Sequence, residues 1–248
     1  MTIHLAAKDL GKQFRIYQRP FDRAVDWLTL GPPRRGEPVW AVRNVSLSVY
    51  PGKVVGVIGR NGAGKSTLLR LLSGSLMPTE GQCSRGGRVL SLHGLTLALT
   101  GALTGRENVE VAGDLVRLPP GYVREHIERI AEFSELAEFF DRPVATYSSG
   151  MRTRLACATF AFLDADILLL DEALTGGDAF FARRWLARLE ELMARGVGVV
   201  MASHDMAAVR RHCHETLLLD RGVVLFQGES DEAVRLYLDA TARPARLG

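Results

Sequence analysis

The stretch VVGVIGRNGAGKST, Val54 to Thr67, decides the fold. Its opening VVGVI is a continuous apolar run of the kind buried on both faces of a parallel sheet. The run breaks into GRNGAGKST, Gly59 to Thr67, which fits G-x-x-x-x-G-K-[ST], and STLLRLLSG continues with helical spacing. Strand, glycine-rich turn and helix, in that order, are the context this pattern requires. Glycines let successive N–H groups turn inward around phosphate oxygens, and the helix N-terminus adds a favourable dipole. Lys65 would place a compact charge on the terminal phosphates, and the Ser66 hydroxyl would ligate Mg²⁺. Gly59, Asn61, Gly62, Ala63, Gly64, Lys65, Ser66 and Thr67 are therefore the candidate binding residues for a nucleoside triphosphate.

Working outward, short β-branched runs alternate with helical patterns, the signature of a mostly parallel sheet covered by helices. WAVRNVSLSVYPGK alternates apolar and polar residues and ends in a Pro-Gly turn. ADILLLDE and VGVVMASHD read as buried strands, and FFARRWLARLEELMARG as an amphipathic helix between them. ETLLLDRGVVLFQGE reads as two strands joined by an Arg-Gly turn, followed by a helix in SDEAVRLYLDA. From about Gly94 to Leu163 the strand signal fades and helical patterns such as YVREHIERIAEFSELAEFF take over. The expected division is an α/β core of residues 1–93 and 164–248 with an inserted helical subdomain at 94–163. Only GPPRRGEP, Gly31 to Pro38, reads as a loose linker.

Two further groups belong with the phosphate loop. ILLLDE ends in Asp171 and Glu172, adjacent carboxylates that a strand end points opposite ways. Asp171 is placed to hold Mg²⁺ through water, and Glu172 to polarise an attacking water, as phosphoryl transfer requires. His204, in ASHD, follows the next strand. Ligands gather at the carboxyl ends of strands in an open parallel sheet, so His204 is expected to face the same crevice.

Bulk properties limit the alternatives. The chain has 248 residues, 24% of them charged, and a net charge of +3, with the basic residues almost all arginine. That balance is far from the strongly basic one of a dedicated nucleic-acid binder. The three cysteines, Cys83, Cys157 and Cys213, form no CxxC pair and suggest a reducing compartment. The HCH run at His212–His214 lacks metal-ligand spacing and reads as structural. The N-terminus has no apolar signal core, and the uncharged run from Val89 to Gly105 is too short and glycine-rich to span a membrane.

TYSSGMRTRLACA, from Thr146, poses a puzzle. Two serines and a glycine precede a good helix former, yet a cap needs one polar residue and Gly150 weakens a helix. The turn looks built to receive an anion from outside its own chain.

Taken together, these residues resemble the nucleotide-binding subunit of ATP-binding-cassette transporters over almost the whole chain. GRNGAGKST matches the Walker A motif, ILLLDE the Walker B motif and His204 the switch histidine. YSSGMRTRLA resembles the signature motif, commonly LSGGQ, with Ser148 and Gly150 in matching positions. The resemblance implies a P-loop NTPase, RecA-like core with an antiparallel β element, ATP and Mg²⁺ as ligands, and Glu172, His204 and Lys65 as catalytic residues. It also implies a head-to-tail pair of copies, in which Ser148 and Gly150 of one copy close over the ATP of the other. Such pairs work beneath transmembrane permease subunits at the cytoplasmic face of the inner membrane, with no nucleic acid involved.

LTGREN (Leu103–Asn108), DEALTGGDAFF and SHDMAAVRRHC look like the cassette subunits of polysaccharide exporters, which move O-antigens, capsules or teichoic acids. In O-antigen exporters a segment similar to FRIYQRPFDRAVDWLTL forms a small helix near the membrane. Here Phe21, Val25 and Leu28 fall at helical spacing, beside Trp27 and Leu30, which suits either that helix or one packed on its own sheet. The region HGLTLALTGA lacks the glutamine usual in the Q-loop. LTGGD places Asp178 in the D-loop. The family pattern puts Phe14 against adenine, with Trp40 as the alternative. No carbohydrate-binding domain is expected after the ATPase. The rival readings are a lipid or drug exporter cassette and a cassette ATPase outside transport.

Overall fold

Every residue of Val54–Ile58 is buried, and its side chains alternate between two separate cores. The computed structural model describes residues 3–17, 19, 21, 36–119, 121–171 and 179–242. In chain order the elements are β1 Leu5–Ile16, β2 Glu37–Val49, β3 Val54–Ile58, α1 Lys65–Ser73, β4 Glu80–Arg85, β5 Val89–Ser91, α2 Leu92–Ala98, α3 Gly105–Leu115, α4 Tyr122–Ser134 and α5 Ser149–Phe162. They continue with β6 Ile167–Asp171, α6 Ala179–Ala194, β7 Gly198–Ala202, α7 Met206–His212, β8 Glu215–Asp220, β9 Val223–Gly228 and α8 Ser230–Ala242.

A six-stranded sheet runs β5-β6-β7-β3-β8-β9, parallel throughout except for the antiparallel β8–β9 hairpin. Its central strands need apolar residues on both faces, which is why they read as unbroken runs. Val54, Ile58, Leu168, Leu170, Val199 and Met201 face one core with Val109, Ile130, Phe160 and Trp185 from the helices. Val55, Val57, Ile167, Leu169, Val200 and Ala202 face the other. That second core is closed by Leu68, Leu69 and Leu72 of α1 and by Leu5, Leu10, Val42 and Val45 of a three-stranded antiparallel sheet, ordered β2-β1-β4. The α/β class with an antiparallel element is thus present. β1 and β4 are additions that the sequence patterns do not announce.

Two of the turns with left-handed backbone set where neighbouring elements end. Arg221 and Gly222 both have positive φ, 46° and 82°, a two-residue hairpin turn of the kind matched to strand twist. The helical pattern from Tyr122 stops at Ser134, because Glu135 turns to φ 54° and its carboxylate accepts from Arg154 and Arg184.

Candidate functional site

The loop between β3 and α1 opens onto an uncapped helix. Gly64 is the N-cap of α1, with φ 107° and no side-chain cap, and the first turn holds no acidic residue. No side chain at the cap and no acidic residue in the first turn would compete with an anion for the helix start and its dipole. Glycine is required at this cap: a Cβ on Gly64 would stand 2.4 Å from the Ala41 carbonyl oxygen. Ala41 is the residue over which the β1–β2 register slips, between the pairs Lys12–Val42 and Gln13–Trp40. The same region is hooked from the other side. Arg43 N donates to Gly222 O at 2.7 Å, and Gly222 N donates to Ala63 O at 2.9 Å. The hairpin turn thereby clasps the phosphate loop to the antiparallel sheet.

Lys65 is buried, at 6% exposure, and its ammonium donates to Gly59 O at 2.9 Å and Arg60 O at 3.3 Å. Its Nζ also lies 3.1 Å from His204 Nε2. An ammonium has only donors, so the imidazole nitrogen accepts in this contact. His204 reaches this position because β7 runs beside β3, with Ser203 N donating to Val57 O at 3.3 Å. Immediately after it, Asp205 caps α7 by accepting from Ala207 and Ala208 N–H at 2.9 and 3.0 Å. Asp171 ends β6, opposite Ala202 of β7, so its carboxylate emerges two strands from β3 at the same sheet edge. Ser66 and Asn61 are exposed at the loop mouth, with Thr67 half-buried behind. The Ser66 hydroxyl, exposed, and the Asp171 carboxylate, half-buried, are oxygen donors of the kind Mg²⁺ accepts alongside water.

Phe14 lies on β1 opposite Val39, 40% exposed, with Lys12 Nζ 5.5 Å from its ring. Trp40 is half-buried, and the Arg43 guanidinium lies 4.9 Å from its ring centre. Phe14 thus offers the more open ring. Ser148 caps α5, its hydroxyl accepting Met151 N–H at 3.2 Å, and no acidic residue occupies that first turn either. Among the described residues nothing demands glycine at position 150: its φ is not positive, and a Cβ would meet no atom of them nearer than Ser148 Oγ at 3.9 Å. Glu172 and Asp178 lie outside the described residues, as does most of the amphipathic stretch Phe21–Leu30.

His212 and His214 diverge. His212 Nδ1 lies 4.0 Å from Glu190, and His214 Nδ1 accepts Val54 N–H at 3.1 Å. Cys83, Cys157 and Cys213 are free thiols, and burial pushes Cys157 and Cys213 up to about 12.

The family model for ABC transporters matches residues 42–175, more than half of the chain and inclusive of the phosphate loop, the signature turn and β6. The chain belongs to the ABC transporter family. It is 40% identical to the ABC transporter protein AbcA of Aeromonas salmonicida, over 94% of this chain and 75% of that protein. It is 39% identical to the O-antigen export system ATP-binding protein RfbB of Myxococcus xanthus, over 82% of this chain and 46% of that one. Identity to the teichoic acids export ATP-binding protein TagH of Bacillus anthracis is 35%, over 96% and 43%. The alignments thus span less than half the length of these last two relatives.

Among solved structures, an ATP-binding subunit of an ABC transporter superposes with a TM-score of 0.76 at 22% identity, covering 95% of this chain and 93% of the other. A dimeric bacterial ABC transporter cassette gives 0.73 at 21% identity, covering 91% and 98%. These likenesses establish the cassette fold. As a member of this family the cassette binds nucleotide and is an ATPase. Among the described residues no helix is long and apolar enough to cross a membrane.

The clasp through Gly222 was not anticipated. An Arg-Gly turn is visible in the sequence, but its docking on Ala63 joins residues 159 positions apart, and no local pattern encodes that.

Proposed function

We propose that this cassette powers export of a cell-surface polysaccharide of the O-antigen, capsule or teichoic acid kind, working as a pair of copies against two permease subunits at the cytoplasmic face of the inner membrane. The observation that carries the paired reading is Gly150. Glycine is a poorer helix former than alanine, by about 0.5–1 kcal/mol in a helix middle and less in a first turn, and none of the described residues around Gly150 in its own chain calls for it. Beside it stand the Ser148 hydroxyl and a helix start without an acidic residue. This is an anion seat whose anion would come from the phosphate loop of the second copy.

In that pair Lys65 and His204 would meet γ-phosphate charge from one side and Ser148 from the other. Glu172 would orient the attacking water, Asp178 would lie at the junction of the copies, and Phe14 would stack on adenine. Ser66 and Asp171 would hold Mg²⁺, whose charge offsets that of the phosphates when it is bound. Residues 94–163 would act as the helical subdomain against a core of 1–93 and 164–248. The groove between them, lined by Arg70, Ser73, Ser91, His93, Leu95 and Leu115, would receive the permease. The likeness to RfbB, of O-antigen export, and TagH, of teichoic acids export, supports the polysaccharide branch.

The test uses the Glu172→Gln protein, tagged and extracted from native membranes with ATP and Mg²⁺. Copurification of a multi-span membrane protein in equal amount, encoded beside glycan-assembly enzymes, is the expected result. Ribosomes, DNA or no partner would sink the exporter reading and leave the ATPase.

A further inference from the structure

The segment Leu103–Asn108, LTGREN, carries more fixed polar contacts than a helix start needs. Thr104 and Glu107 form a complete capping box: Thr104 Oγ1 accepts Glu107 N–H at 3.1 Å, and the Glu107 carboxylate accepts Thr104 N–H at 2.7 Å. That accounts for those two residues and leaves Gly105, Arg106 and Asn108 to be explained.

Asn108 is 4% exposed and uses its whole amide on the preceding loop. Its Oδ1 accepts Thr100 N–H at 2.7 Å, and its Nδ2 donates to Thr104 O at 2.8 Å and Thr100 O at 3.0 Å. That loop is zipped to the 3₁₀ turn, Val144–Thr146, that leads into the signature turn. Ala145 N donates to Gly101 O at 2.8 Å, and Val144 N donates to Leu103 O at 2.9 Å. Arg106 adds a second tie, with N–H donating to Phe140 O at 3.0 Å and Nε donating to Asp141 Oδ1 at 2.6 Å.

Gly105 completes the joint. A Cβ there would stand 2.5 Å from Tyr147 Oη and 2.8 Å from Phe140 O, so glycine alone lets Tyr147 lie against the helix start. Tyr147 is 5% exposed and donates its hydroxyl to Phe139 O at 2.5 Å. The next residue is Ser148. Asn108 lines one small cavity with Leu95, Ala98 and Leu99, and Leu95 and Ala98 of α2 also line a groove of about 670 Å³ beside α1 and the end of α3.

We propose that Asn108 and Tyr147 are positioning residues for the signature turn: through them, the wall of the groove under α2 fixes the attitude at which Ser148 meets the nucleotide. The inference rests on the reading of Ser148 as one half of a shared ATP site. Neither residue touches the nucleotide. Each acts by holding the turn.

The experiment compares full-length Tyr147→Phe and Asn108→Ala with the unaltered chain, in parallel with Ser148→Arg. Readouts are kcat and KM for ATP, the affinity of the isolated chain for a fluorescent ATP analogue, and ATP-driven dimerisation in the Glu172→Gln background. The expected result is a kcat lowered about fivefold or more and weaker dimerisation, with analogue affinity within about twofold, because only the interaction made after closure is weakened. Thermal melting checks folding, and if Asn108→Ala does not fold, Tyr147→Phe decides alone. Unaltered kcat and dimerisation in the folded variants overturn the proposal, as does a fall in analogue affinity matching the fall in kcat. Ser148→Arg separates the two layers. Full turnover by that variant removes the shared-site reading itself. Inactive Ser148→Arg beside fully active Tyr147→Phe and Asn108→Ala removes only the positioning role.

Discussion

Lys65 Nζ and His204 Nε2 lie 3.1 Å apart although 139 residues separate them in sequence. The contact joins the start of α1 to a residue just after β7, and on the proposed reading both groups would meet the same phosphate. Lys65→Met should therefore weaken nucleotide binding about a hundredfold, since charge-assisted hydrogen bonds to phosphate are worth ~3 kcal/mol. Replacing a buried cation by an apolar chain of similar length should leave the nucleotide-free melting temperature unchanged or higher. Calorimetric titration with ATP and a thermal melt check both, and a sharply lowered melt would make Lys65 chiefly structural.

Gly62 and Gly64 both have positive φ, but only Gly64 abuts backbone. Gly62→Ala should destabilise by about 1 kcal/mol, the left-handed penalty alone. Gly64→Ala adds overlap with the Ala41 carbonyl and should exceed about 3 kcal/mol. Urea unfolding of the two variants measures the gap; equal losses would mean that β2 yields freely.

Gly150→Ala should move stability and turnover in opposite directions. A methyl group there meets none of the described residues closely, so the isolated chain should gain up to about 0.5 kcal/mol of helix stability, less than at a mid-helix site. The same methyl group would stand between the signature turn and a phosphate from the second copy, so kcat should fall. A stabilised variant with undiminished kcat would argue that no ligand approaches this face.

His214 makes stability depend on pH. Although His214 is exposed, partial desolvation of its ring, reinforced by the Lys53 charge, holds the imidazole below the ordinary 6.5, while its Nδ1 accepts the first N–H of β3. The unfolded chain takes up the proton more readily than the folded one. The contribution is therefore present above 6.5 and is lost as pH falls through that value toward the lower folded pKa. Melting temperatures at about pH 7.5 and about pH 5.5 should differ more for the unaltered protein than for His214→Gln. An identical difference in both would assign the acid sensitivity elsewhere.

The central sheet was legible because burial on both faces writes itself as uninterrupted Val, Ile and Leu in β3, β6 and β7. β4, EGQCSR, has no such mark: only Cys83 is even half-buried, and its partner in the sheet is β1 alone. β1 was hidden for another reason. Its pairing with β2 slips at Ala7/Leu10, Leu10/Lys12 and Lys12/Gln13, and each slip breaks the period of two on which strand recognition depends. The end of α4 escapes the helical pattern because Glu135 is turned by arginines 19 and 49 residues away.

In the candidate site, contiguity made the difference. Gly59 to Thr67 form one unbroken motif, and His204 follows from strand order. The joint around LTGREN was visible as letters but not as a device. Gly105 answers to Tyr147 and Arg106 to Asp141, pairings that exist only once the helices have packed.

The Gly222 clasp bears on where this chain can be lengthened. Tight hairpins at the surface are ordinarily the places where extra residues, tags or inserted domains do least harm. Here one added residue between Asp220 and Val223 would pull Gly222 away from both Ala63 and Arg43 at once. The phosphate loop would then lose its tie to the antiparallel sheet while every residue of its own motif remained intact. A library of insertions scored for ATP turnover should find this hairpin turn, whose Gly222 is buried, as intolerant as the loop itself.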